Sequence, residues 1–445
     1  MKKNLLFVVS FCLSLSIFAQ TEKKDEQLIK KNWNFGALPT ITFDTDLGFQ
    51  YGALVNLYDY GDGTRFPKYN HSLYFEVSRF TKGSGINRFY YDSDQLIKGL
   101  QTSVDLSYLS DQAYDFYGFN GYESVYQPNW IDDTQPSDVY KTRMFYKYDR
   151  KLFRFKVDLQ GKLAGDHFRW TTGFNLQNFK IGDVNLSKLN KGKSGSKVLP
   201  DVPGLYDLYQ QWGIISAKEA NGGFIPTVKG GIVYDSRDNR PNPMKGVWTE
   251  AVLEGAPSFL GAESSFLKLS LIHREYFTLV PKKLSLVYRL AYQTTLAGHT
   301  PFYYQSQVIT SVLTGALSEG LGGAKTLRGI LRNRVVGDGF LYGNVEMRWK
   351  VVRFHWINNN FYIGLNAFTD FGKVTKKVDV KSSLTTAQAA QTNYFNWGAE
   401  KFHSSYGAGL RIVMNENFVI AADYGMAPNE QDGTSGMYIG LNYLF

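Results

Sequence analysis

Apolar and polar residues alternate with period two along most of this chain, the pattern of strands whose faces meet two environments. Leu341, Gly343, Val345, Met347, Trp349 and Val351 share one face, and Tyr342, Asn344, Glu346, Arg348 and Lys350 share the other. Further on, Phe361, Ile363, Leu365 and Ala367 oppose Tyr362, Asn366 and Asp370. Upstream, Leu284, Leu286, Tyr288, Leu290 and Tyr292 oppose Ser285, Arg289 and Gln293. In the last segment Met437, Ile439, Leu441, Tyr443 and Phe445 oppose Tyr438, Gly440, Asn442 and Leu444. The pattern predicts strands at about 40–58, 70–80, 84–92, 97–108, 139–149, 151–162, 167–181, 226–236, 246–256, 265–276, 283–295, 340–351, 359–371, 404–413, 417–425 and 436–445. That makes sixteen, with 40–58 also long enough for two. Long stretches without the pattern lie at 109–138, 182–225, 296–339 and 372–403.

A soluble sandwich with one wet face would show the same alternation. Composition weighs against it. Aromatics are 16% of the 445 residues, with 30 Tyr, 32 Phe and 43 Gly, yet mean hydropathy is only −0.28. The apolar faces concentrate Tyr, Trp and Phe near strand ends, as the interfacial girdles of membrane barrels do. An open sheet edge cannot be left unpaired in lipid, and an even strand number suits a closed single-chain ring. The expected fold class is all-β, a transmembrane antiparallel β-barrel of 16 strands.

The first residues add a location. Met1, Lys2 and Lys3 precede a largely apolar run from Leu5 to Phe18, and Ile17-Phe18-Ala19 offers a cleavage site. This reads as an export signal, too short to span a bilayer. The expected organisation is a signal peptide at 1–19, a short periplasmic lead-in at 20–38 and a barrel at 39–445. Cys12, the one cysteine, lies in the signal behind bulky Phe11, which argues against lipid attachment there. The mature chain then offers neither a disulfide nor a thiolate metal site. Removing Lys2 and Lys3 lowers the formal charge from +9 to +7, a modest balance compatible with anionic lipid headgroups.

Three segments carry a more specific signal. YDSRDNRPNPMKG (234–246) joins two strands, with Pro241, Pro243 and Gly246 suited to a tight turn, and it holds Asp235, Arg237 and Asp238. GGAKTLRGILRNRVVGDGFLYGNVEMRW (322–349) is a glycine- and arginine-rich loop running into a strand, and FTDFGKV (368–374) closes the next strand. Together with the aromatic last strand they resemble the BamA/TamA-type outer-membrane assembly barrels, the bacterial surface antigen family. The resemblance implies a sixteen-stranded barrel in the bacterial outer membrane whose sixth extracellular loop folds back into the lumen. It also implies that Arg328, of the Arg328-Gly329 pair, meets Glu346 and Asp370 on the lumen wall as a structural latch. Alternation alone puts both carboxylates on inward faces, where a guanidinium gains from bidentate geometry and weak screening. Tyr443 and Phe445 have the form of a C-terminal assembly signal. Two features depart from the family: Ile330 stands where an aromatic is usual, and a lead-in of about 19 residues leaves no room for POTRA modules. A barrel-only member is expected, without the strand-addition surface those modules supply.

Catalytic motifs are weak. Gly192-Lys193-Ser194 resembles part of a phosphate loop, but Ser187 replaces its first glycine. His71, His167, His273, His299, His355 and His403 are scattered, and His403-Ser404-Ser405 lacks the residues a membrane phospholipase needs after it. No enzyme activity, cofactor, metal or nucleic-acid partner is expected. The resemblance implies insertion or export of client proteins by lateral opening of the barrel seam. The alternative is a passive pore or a partner-binding scaffold of the same fold. Expected partners are outer-membrane lipids and lipopolysaccharide, a client outer-membrane or secreted protein, and a periplasmic or lipoprotein partner or a second copy.

Overall fold

The computed structural model describes residues 28–45, 47–240, 242–312, 320–441 and 443–445, with the side chains of 37–42 and Ser196 left aside. The expected signal peptide, Cys12 and Pro241 lie outside the described residues. Sixteen antiparallel strands form a closed ring. They are β1 (Trp33–Asp44), β2 (Gly48–Asp59), β3 (His71–Phe80), β4 (Ser84–Ile97), β5 (Leu100–Asp115), β6 (Lys147–Ala164), β7 (Phe168–Gly182) and β8 (Gly222–Asp235). The second half comprises β9 (Gly246–Ala256), β10 (Phe266–Val280), β11 (Leu284–Gly298), β12 (Gly339–Trp356), β13 (Asn359–Lys376), β14 (His403–Met414), β15 (Phe418–Met426) and β16 (Ser435–Leu441).

Alternation sorts the two faces as the period predicts. On β12, Asn344 and Glu346 are fully buried while Met347 and Trp349 are 42% and 39% exposed. On β13, Asp370 is fully buried while Leu365 is 41% exposed. The polar face lines the lumen and the apolar face looks outward, toward lipid.

Two boundaries differ from expectation, and they offset each other. Residues 40–58 are two strands, β1 and β2, because Gly48 at φ 86° turns the chain after Thr45. Residues 139–146 form no strand; Phe145 and Tyr146 are apolar because they pack inside a loop cap. The total of sixteen survives both. The wall also begins earlier than expected, at Trp33, inside the segment read as lead-in. At the other end β16 stops at Leu441, and Tyr443, Leu444 and Phe445 are buried inside the ring instead of continuing the strand. Their aromatic rings are held by lumen arginines. Arg348 lies 4.4 Å over Tyr443 and 4.9 Å over Phe445, and Arg289 lies 4.9 Å over Phe445.

The ring is unevenly joined. β12 and β13 pair along their whole length. β1 and β16, among the described residues, pair only at Asp44 opposite Tyr438. Thr45 adds three bonds there: its N–H and its Oγ1 donate to the Met437 carbonyl at 3.0 Å and 3.3 Å, and its Oγ1 accepts from the Met437 N–H at 2.7 Å.

Long connections gather at one end and short turns at the other, which places the long ones outside the cell in an outer-membrane barrel. The β5–β6, β7–β8, β11–β12 and β13–β14 loops interlock over the outer mouth. Asn120 exchanges two 2.8 Å bonds with the backbone of Val378, and the Val125 N–H donates to the Tyr394 carbonyl at 2.9 Å. Beneath these bonds Phe116, Phe119, Tyr126, Tyr146, Tyr209 and Phe302 form a buried aromatic cluster. Phe116 meets Tyr209 edge-on at 5.3 Å and 86°. Such pairs contribute roughly 0.5–1.5 kcal/mol each beyond burial, so the outer end is a packed lid rather than loose loops.

Candidate functional site

The β11–β12 loop, residues 299–338, turns back into the ring, and its path depends on local backbone chemistry. Gly322 sits at φ 121°, where a Cβ would fall 2.0 Å from the Leu331 carbonyl oxygen. Thr326 Oγ1 accepts from the Gly322 N–H at 2.9 Å and closes the turn. Leu321, Leu327, Ile330 and Val335 are fully buried against Ile272, Phe340, Tyr342 and Val374 of the wall. Ile330, the departure from an aromatic, therefore fills a close-packed apolar gap under the loop.

This packing delivers Arg328 to the wall. Its Nε and Nη2 each donate to Asp370 at 2.9 Å, on Oδ2 and Oδ1, and its backbone N–H donates to Asp370 Oδ2 at 2.9 Å. Nη1 lies 2.7 Å from Glu346 Oε1, an ion contact without an aligned hydrogen bond, and 3.5 Å from Asp423 Oδ2. The guanidinium carbon stands 3.5 Å over the Phe368 ring. All three of Arg328, Glu346 and Asp370 are fully buried. Arg348 Nε donates to Glu346 Oε2 at 2.7 Å and Arg411 Nη2 to Asp423 Oδ2 at 2.9 Å. Three guanidinium groups thus face three carboxylates, so the buried charges cancel. Desolvation offsets much of the Coulombic gain, and the net effect is to fix geometry more than to add stability.

Gly329 completes the contact. At φ 94° it lies so close to β15 that a Cβ would stand 2.5 Å from the Gly425 carbonyl carbon, and its N–H donates to Tyr438 Oη at 3.2 Å. Arg332 and Arg334 reach elsewhere. Arg332 Nε donates to Asp115 Oδ2 at 2.7 Å on β5. Arg334 donates to three backbone carbonyls, those of Gln431 at 2.6 Å, Gly121 at 2.9 Å and Ser124 at 2.9 Å. One loop therefore bonds β5, β12, β13, β15, β16 and, through Gly121, Gln431 and Glu219, three outer loops.

The structure brings together Arg328, Gly329, Glu346 and Asp370, the contact that the resemblance implied. Sequence reasoning missed Asp423, Phe368, Arg411 and Gly425. Asp423 left a usable signal, a lone carboxylate on an inward position of an otherwise apolar strand. The turn residues lie apart, at the inner end. Arg237 Nε donates to Asp235 Oδ1 at 2.9 Å, and Asp238 Oδ1 accepts the Met244 N–H at 3.0 Å. Pro243 is buried, and Gly246 at φ 106° approaches Ser236 too closely for a Cβ. From this turn Asn242 Nδ2 reaches Glu416 at 2.6 Å in the β14–β15 turn, so the hairpin leans across the inner mouth.

A family model described as the Omp85 superfamily domain matches residues 66–445. Among solved structures, the chain is similar to BamA from Haemophilus ducreyi lacking POTRA domains 1–3. The TM-score is 0.52 at 13% identity, covering 93% of this chain and 71% of that one. It is also similar to CdiB from Escherichia coli, with a TM-score of 0.52 at 10% identity, covering 93% of this chain and 63% of that one. The chain thus spans less than two thirds of the CdiB chain. No curated protein matches. At these identities the two structures speak for the fold alone.

Proposed function

The chain belongs to the Omp85 superfamily and resides in the bacterial outer membrane, and on that premise we propose that it inserts or exports client proteins by parting at the β1–β16 seam. The observation that carries this is the seam itself, among the described residues a single bridged pair extended by Thr45, in a ring whose other junctions run along their strands. A strand edge freed there can add a client strand through main-chain bonds. Arg328, held by Glu346 and Asp370, acts in this reading as a structural latch that keeps the inner loop fixed while the wall moves. No covalent chemistry is involved. The client is an outer-membrane or secreted protein, and a periplasmic partner hands it over. The packed outer lid weighs against the passive-pore alternative.

A reversible lock tests the proposal. Thr45→Cys with Met437→Cys should form a disulfide across the outer end of the seam, on the oxidising cell surface. The doubly substituted protein should fail to restore the outer-membrane proteome of a depleted strain until reductant is added. A control pair, Met347→Cys with Ala367→Cys, which face each other on β12 and β13, should function normally. Full function with the seam locked would rule out lateral opening and leave the scaffold reading.

A further inference from the structure

Beneath the inner loop the lumen keeps a cavity of about 370 Å³, the size of a small-molecule site. Its wall includes Trp248 on β9 and Arg274 on β10, which stand directly opposite each other in register. Arg274 is 6% exposed, and among the described residues no carboxylate pairs with it and its Nε has no hydrogen-bond partner. The Trp248 indole N–H, on a side chain 2% exposed, is also without an acceptor.

The surrounding charges sharpen the imbalance. Across the other edge of β10, Arg274 faces Arg289, whose Nε bonds only the neutral Asn344 Oδ1 at 2.8 Å. Arg237 keeps its own partner, Asp235. Glu250, one step along β9, is taken by Thr310 Oγ1 at 2.9 Å and the Ser311 N–H at 3.1 Å. The carboxylates that line the cavity itself have donors too: Glu76 from Gln50 at 2.7 Å, Asp92 from Tyr69 at 2.7 Å, Asp158 from Lys229 at 2.8 Å, Asp44 from the Leu47 N–H at 3.1 Å and Asp423 from Arg411 at 2.9 Å, while Arg348 Nη2 donates to the C-terminal oxygen of Phe445 at 3.2 Å. A buried guanidinium beside a second cation, with an unpartnered N–H donor on a neighbouring residue that lines the same cavity, is a half-built oxyanion site. The same cavity is also lined by the buried apolar side chains Leu47, Leu54, Phe80 and Ile86.

We infer that this cavity binds an amphiphilic anion, one phosphate or carboxylate group carried on an apolar chain, with Arg274 and the Trp248 N–H taking the oxyanion. The assignment stands independently of seam opening. Decyl phosphate below its micellar concentration should raise the melting temperature of the full-length protein in nonionic detergent and bind saturably by calorimetry. Inorganic phosphate at the same concentration should do neither. Arg274→Gln should weaken decyl phosphate binding at least tenfold while keeping or raising the heat resistance of the empty barrel, since it removes a buried charge that faces the Trp248 ring at 5.8 Å and not a carboxylate. Should that variant fail to fold, Trp248→Phe, which keeps the ring and loses the donor, should weaken binding severalfold. Absence of saturable binding, unchanged affinity in a folded Arg274→Gln or in Trp248→Phe, or equal binding of inorganic phosphate would overturn the assignment. So would a folded Arg274→Gln barrel markedly less heat-resistant than the parent.

Discussion

Arg328 shows how much one position depends on its neighbours. Its alanine variant would leave Glu346 and Asp370 buried and short of a cation, a loss of about 3–5 kcal/mol by the usual cost of breaking a buried pair. Arg328→Lys keeps the charge but not the two-pronged bond to Asp370, so its loss should be smaller. Urea denaturation in detergent should rank the three proteins in that order, and equal midpoints for all would show that the contact holds nothing. At this scale the sequence was legible where alternation and a loop motif agreed, as at Glu346 and Asp370. Arg334 was not legible, because it bonds backbone carbonyls of loops hundreds of positions away in the chain, and carbonyls have no sequence signature.

Among elements, those with strict period two were read to within a few residues. Errors arose where apolarity had another cause, as at Phe145 and Tyr146 in the lid, or where a short turn at Gly48 interrupted a continuous pattern. The lid loops also carry a titratable link. His299 at the start of the inner loop lies 2.6 Å from Glu219 of the β7–β8 loop. The hydrogen bond that His299 donates to Glu219 raises the histidine above its usual 6.5, against the opposing effect of burial. A raised histidine contributes stability that is complete below its unfolded value and fades as pH climbs through the folded one. Protease cleavage between these loops should therefore quicken as pH rises from about 6 toward 8, and His299→Gln should flatten that profile. A rate independent of pH in the parent protein would refute the link.

For the whole molecule, closure followed from physics before any motif was considered, since lipid tolerates no unpaired edge. The state of the lumen did not, because it rests on a loop whose inward turn is set by long-range contacts. With the inner loop bonded to opposite walls and the lid packed above it, planar-bilayer recordings should show no steady open state. Deleting residues 320–336 should produce one. A stable wide conductance in the intact protein would contradict this arrangement.

The layering of lid over loop also ties an early part of the chain to a late one. Arg334 is clasped by carbonyls of Gly121 and Ser124, so the outer loop at 116–146 and the inner loop beneath it complete their bonds only with each other in place. Yet the former precedes the latter by well over a hundred positions in the chain. An early long outer loop is therefore completed by a segment that the chain supplies only much later.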